Sequence, residues 1–121
     1  MPDRAIEAAL QRPVSEVKAE LFRALAHPAR IRVLELLSDG ERSVGEMAPI
    51  VGVEPSHLSQ QLAVLRRAGL VGTRKERSTV FYAIRDRELV ELLAVAKRVL
   101  INSLSASQDV LDHLRVAVGD R

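Results

Sequence analysis

The sequence predicts a mainly helical fold with one small β-hairpin, arranged as a winged helix-turn-helix. Three observations predict it. Residues 43–70 read as two short helices joined at a glycine. Residues 71–84 then alternate like a pair of strands, with Val80, Tyr82 and Ile84 on one face of TVFYAI and Thr79, Phe81 and Ala83 on the other. The hairpin carries Arg74, Lys75 and Arg77. A polar-faced helix followed by a basic hairpin is the order such a fold uses on duplex DNA.

Each element follows from local chemistry. Val14, Val17, Leu21, Phe22 and Leu25 keep a helical period through residue 26. His27-Pro28 breaks it, and Pro28 suits the first turn of a second helix, ARIRVLELL, which stops at Asp39-Gly40 with glycine as the expected left-handed cap. Ser43-x-x-Glu46 is a capping box opening a third helix, in which Pro49 is expected to distort the last turns. Gly52 marks the turn, and Glu54-Pro55 opens the fourth helix as N-cap and first residue. Gly69 ends that helix and Leu70 folds back. Asp86 is expected to cap a long fifth helix, and Ser105-x-x-Gln108 to open a last one containing Val110, Leu111, Leu114 and Val118.

A chain of 121 residues is most simply one domain. Its expected divisions are 14–42 (N-terminal helices), 43–69 (helix-turn-helix), 70–85 (wing) and 86–118 (dimerisation helices). Two Phe, one Tyr and no Trp leave the packing to aliphatic side chains, which favours helices meeting along ridges. The absence of cysteine excludes disulfides and thiolate metal sites. The first residues, MPDRAIEAALQRP, do not have the pattern of a secretory signal, and no apolar run approaches a membrane span, so a cytoplasmic protein is expected. No nucleophile elbow, phosphate loop or paired-histidine motif occurs, and an enzyme is not expected.

A net charge of +2 says little by itself, but its distribution is uneven. Arg66, Arg67, Arg74, Lys75 and Arg77 fall within twelve residues that contain a single anion, Glu76. Such concentration is an electrostatic footprint for nucleic acid. With about 100° of rotation per residue and Leu58 taken as inward, Leu62 and Leu65 stay inward. Ser56, Gln60, Ala63 and Arg67 then face outward, flanked by Ser59 and Arg66. Short or amide-bearing side chains let a helix approach base edges closely, so Ser56, Ser59, Gln60, Ala63 and, nearer the buried edge, Gln61 are the candidate base readers. His57, Arg66 and Arg67 are candidates for phosphate contact, as are Arg74, Lys75, Arg77, Ser78 and Thr79 of the wing.

The fifth helix has too many apolar residues for one stripe. Leu89, Leu92, Leu93, Ala96, Val99, Leu100 and Leu104 cover one side, while Val90, Ala94 and Ile101 spread onto another. A second apolar face on a small domain is usually buried against a partner. Leu89, Val90, Leu93, Ala94, Ile101, Leu111 and Leu114 are therefore the expected contacts of a homodimer.

The segments LFRALAHPARIRVLELL, SVGEMA, PSHLSQQLAVLRRAGLV and TVFYAI resemble the ArsR/SmtB family of small bacterial winged-helix repressors. The resemblance covers roughly residues 20–84. It implies a homodimer binding double-stranded DNA at an imperfectly palindromic operator. Three departures matter. Ser59-Gln60-Gln61-Leu62 stands where the family commonly has Ser-x-His-Leu, the wing tip is Glu76-Arg77-Ser78 in place of a glycine turn, and the cysteine-bearing sensor sites cannot exist. Some members of the family hold zinc, cobalt or nickel with Asp and His of paired C-terminal helices. Here the Asp-x-His opening is missing, and Asp109, Asp112 and His113 are the candidate ligands of a metal-responsive alternative. A winged helix that docks a protein in place of DNA is the alternative from another class.

Overall fold

The computed structural model describes residues 4, 7, 11–105 and 108–119, the side chains of 108–111, 118 and 119 excepted. The elements are α1 (Val14–Leu25), α2 (Pro28–Leu37), β1 (Arg42–Ser43), α3 (Val44–Val51), α4 (Pro55–Arg67), β2 (Val71–Glu76), β3 (Thr79–Ile84), α5 (Glu88–Leu104) and α6 (Gln108–Gly119). They fall into two compact units, Met1–Asp86 and Arg87–Arg121.

In the first unit α2, α3 and α4 pack on one another, α1 lies on α2 and α4, and the sheet meets α2 through β3 and α4 through β2. The core is aliphatic, as the scarcity of aromatics requires. Val33, Leu34, Met47, Leu58, Leu62 and Leu65 are fully buried, and Leu37 and Val71 nearly so. Burying each such side chain stabilises the fold by roughly 1.5–3 kcal/mol.

The starts of α2, α3 and α4 obey the expected chemistry with one exception. His27 caps α2, its Nδ1 accepting the Ala29 amide at 3.0 Å ahead of Pro28. Ser43 and Glu46 form the full capping box of α3. Pro49 is carried inside α3, which runs on to Val51 and closes at Gly52 (φ +81°, ψ +31°). That left-handed conformation, which glycine adopts at no steric cost, turns the chain from α3 into α4. The exception is Glu54. It occupies the cap position of α4 but makes no side-chain hydrogen bond, leaving Pro55 to open the helix.

Four further expectations are corrected. Helix α2 ends with Ser38 as its cap in a right-handed conformation, and Gly40 lies beyond it at φ +140°. Asp86 precedes the cap position of α5, which belongs to Arg87. Ser105 does not open α6. It closes α5, its Oγ donating to the Asn102 carbonyl at 2.8 Å. The hairpin is also not alone, because β1 adds a third strand in the order β1-β3-β2, all antiparallel.

In the second unit Leu89 is buried, so it is not available to a partner as expected. Val90, Leu93, Ala94, Ile101 and Leu114 are half-buried. The Leu111 side chain lies outside the described residues. Among the described residues the large apolar side chains left exposed there are Val95, Val99 and Leu100 on α5 and Val116 on α6. Among the described residues no helix is long and apolar enough to cross a membrane.

Candidate nucleic-acid interface

Helix α4 owes its orientation to Leu58, Leu62 and Leu65, which have no exposed surface. Their spacing of four and three residues turns one stripe into the core and forces the other outward. Ser56, Ser59 and Gln60 stand exposed on that outward side, Ala63 is half-buried, and Arg66 and Arg67 are exposed in the last turn. The helix closes with the Leu70 amide on the Leu65 carbonyl at 3.0 Å and Gly69 at φ +77°. Those bonds hand the chain directly to β2.

Gln61 differs from its neighbours. Its Oε1 accepts from Arg30 Nη1 at 2.8 Å, and its Nε2 lies 3.2 Å from His57 Nε2. Both ends of the amide are engaged inside the protein, so Gln61 supports the reading helix and does not share the free outward surface of Gln60. His57 is exposed, its ring 6.3 Å from that of His27. Together with Pro28, Ala29, Arg32, Val51 and Val53, the two histidines line a cleft of about 430 Å³.

The wing pairs Val71–Glu76 with Thr79–Ile84 in register, Glu76 opposite Thr79. Its two-residue turn puts Arg77 at φ +58°. A positive φ at the first turn position is a conformation that glycine usually supplies, so an arginine here carries a strain of about 1–2 kcal/mol. Lys75, Arg77, Ser78 and Thr79 are exposed.

Arg74 is held more firmly than its sequence context suggests. It meets Glu41 with Nε at 3.2 Å and Nη2 at 2.5 Å, and Glu76 with Nη1 at 2.7 Å. Its guanidinium also lies 4.8 Å from the ring centroid of Phe81, its cross-strand partner. The hydrogen bond from Arg74 holds the Glu41 carboxyl below its ordinary range, and the same pair raises the arginine. To reach a phosphate this side chain would first have to leave two carboxylates. Arg74 therefore braces the wing, while Lys75 and Arg77 present its free cations.

The sequence reading missed Glu41, Arg30 and Arg32 as neighbours of this surface. Arg30 carried a readable signal: it precedes Val33, Leu34 and Leu37 by three, four and seven residues, so it lies on the buried face of α2. An arginine there must find acceptors. Of the metal candidates, Asp112 and His113 are exposed on α6, and the Asp109 side chain lies outside the described residues. Among the described residues no three His, Asp or Glu side chains gather closely enough to hold a metal ion.

Known proteins share this architecture. The family model described as bacterial regulatory protein, arsR family, matches residues 27–73, from the cap of α2 into β2. An uncharacterized HTH-type transcriptional regulator of Mycobacterium tuberculosis, Rv0081, is 53% identical over 104 residues, covering 85% of this chain and 91% of its own length. The crystal structure of Rv0081 matches with a TM-score of 0.73 over 78% of this chain and 96% of that one. The biofilm growth-associated repressor of Agrobacterium fabrum is 41% identical over 85 residues, 70% of this chain and 72% of its own. The homodimeric winged helix-turn-helix DNA-binding domain of Mb0332 from Mycobacterium bovis is 30% identical, with a TM-score of 0.70 over 89% of this chain and 94% of that one. On its buried and exposed α4 faces, its wing and these relatives, the chain belongs to the ArsR family and is a DNA-binding transcriptional regulator.

Proposed function

We propose that two copies of this chain bind an imperfectly palindromic operator and repress transcription where that operator overlaps a promoter. One observation carries the reading: Ser56, Ser59 and Gln60 are exposed directly behind Leu58, Leu62 and Leu65, which are sealed in the core. A docking surface for a protein would offer large apolar or aromatic anchors there. Hydroxyls and an amide suit base edges, with Gln60 able to pair with adenine through two bonds.

In this reading α4 enters the major groove. Arg66 and Arg67 take phosphates from its C-terminal turn, and Lys75, Arg77, Ser78 and Thr79 follow the backbone from the wing. The exposed Val95, Val99 and Leu100 on α5 and Val116 on α6 supply the apolar surface for the second copy. The homodimeric state of the Mb0332 domain supports this assembly, and the name of the Agrobacterium relative supports repression. A two-fold dimer reads half-sites about 34–36 Å apart. As a regulator of bacterial transcription it works in the cytoplasm, beside the chromosome.

The test is selection of bound duplexes from a random pool, with and without nickel, cobalt and zinc. Recovered duplexes should share two inverted half-sites one helical turn apart. Recovery of no common sequence would overturn the reading, and a dependence on one of the ions would move it to the metal-responsive alternative.

A further inference from the structure

Arg30 joins three elements through one side chain. Its Nε donates to the Ala24 carbonyl at 2.7 Å and its Nη2 to the Arg23 carbonyl at 3.3 Å, both at the C-terminal end of α1. Its Nη1 crosses to the Gln61 amide oxygen on α4 at 2.8 Å. The polarity of the next link follows from valence. A guanidinium can only donate, so the oxygen of Gln61 must face it and the nitrogen must face away. That nitrogen also can only donate, and it lies 3.2 Å from Nε2 of His57. His57 Nε2 is therefore the acceptor, and a neutral His57 carries its proton on Nδ1.

His27 has the opposite arrangement. Its Nδ1 accepts from the Ala29 amide, so a neutral His27 carries its proton on Nε2. Two rings 6.3 Å apart thus hold opposite tautomers, each set by a bond on the other nitrogen. For His57 this is the minor tautomer of a free histidine side chain, and the donor chain from Arg30 is what imposes it. The outcome is an Nδ1–H donor on His57, an exposed residue of α4 one position from Ser56 and three from Gln60.

We propose that Arg30 is a positioning residue for DNA binding: through Gln61 it holds His57 with Nε2 as acceptor and Nδ1–H as donor to a backbone phosphate oxygen of the operator. This rests on the DNA reading above. Arg30 itself touches no DNA in this scheme, and its effect passes through His57.

Two measurements on the full chain test it. The first needs no DNA. Two-bond ¹H–¹⁵N correlation spectra of the histidine-labelled protein at about pH 8 should show His57 as the Nδ1–H form and His27 as the Nε2–H form. Arg30→Lys, which still donates to Gln61, should keep that pattern, whereas Gln61→Leu should return His57 to mainly Nε2–H and leave His27 unchanged. The second uses a duplex recovered by selection. Gln61→Leu should weaken binding about tenfold, the scale of one lost hydrogen bond, without altering the salt slope. In a His57→Ala background the same substitution should have almost no effect.

An Nε2–H His57 in the unsubstituted protein would overturn the proposal. So would an equal loss from Gln61→Leu with and without His57, which would mark Gln61 as structural only. Arg30→Met is the harsher variant, since it also frees two carbonyls of α1, and Gln61→Leu covers the case in which it does not fold. If the pool yields no specific duplex, the DNA reading fails and the contact proposed for His57 fails with it, while the spectra still decide the polarity of the relay.

Discussion

Arg74 and Glu41 stand 33 residues apart in sequence and meet through two hydrogen bonds, at 2.5 and 3.2 Å. The pair ties the stem of the wing to the residue that precedes β1. Because the bond lowers the Glu41 pKa from its ordinary 4.5, the ionised carboxylate favours the folded state. That contribution is present above the unfolded value and is lost as pH falls through the lower, folded one. Thermal unfolding of the native protein and of Glu41→Gln should therefore differ modestly at neutral pH. The two melting curves should begin to converge as the pH falls below 4.5 and should meet at lower pH. A gap that persists at that lower pH would mean the pair does not couple to folding.

The free cations of the wing should behave differently from Arg74. Lys75→Ala and Arg77→Ala should each weaken binding to all duplexes and reduce the slope of log affinity against log salt by about 0.9. Arg74→Ala should lower the melting temperature and leave that slope nearly unchanged. Filter binding across a salt series, beside a thermal melt, separates the two roles.

Gln60 should govern sequence choice. Gln60→Ala is expected to cost about 1–3 kcal/mol on the preferred duplex and almost nothing on a scrambled one. Equal losses on both duplexes would show that Gln60 contributes to affinity alone.

The capping box of α3 should matter for stability. Ser43→Ala removes the acceptor for the Glu46 amide and should cost about 1 kcal/mol. For a unit of this size that corresponds to a fall of roughly 4–8 °C in melting temperature. Leu62→Ala, in the fully buried stripe of α4, should cost more, about 2–5 kcal/mol. Calorimetry on the two variants ranks a cap against a core position.

Arg77 offers a test of backbone strain. Arg77→Gly should raise thermal stability by relieving the positive φ, and at the same time weaken duplex binding by removing a cation. A variant that melts lower would mean that the arginine side chain stabilises the turn.

Much of this surface was legible because its causes are local. A leucine stripe, a proline at a first helical turn and a Ser-x-x-Glu box each act within a few residues, so α4 and α3 are readable from the sequence alone. The outward positions of Ser56, Ser59 and Gln60 followed from the same stripe. What escaped was set by distant neighbours. Gln61 reads as a base reader set nearer the buried edge than Gln60, and the bond that engages its amide oxygen comes from Arg30, 31 residues earlier. Arg74 reads as one more basic wing residue until Glu41 arrives from before β1. Strand β1 itself is two residues long, too short for any alternation to show. Ser105 illustrates the opposite error: its spacing to Gln108 imitates a cap, but its hydroxyl turns back to Asn102.

Ser43 belongs to two structures at once. It pairs with Phe81 as the last residue of β1 and caps α3 with its hydroxyl. Within the first unit the wing sheet and the α3–α4 pair thus share one residue, with no linker between them. If α4 and the wing keep this spacing on DNA, a duplex whose twist places groove and backbone at a different gap would itself have to bend or unwind to meet both. Discrimination would then extend to base pairs that no side chain touches, through the stiffness of the DNA between α4 and the wing.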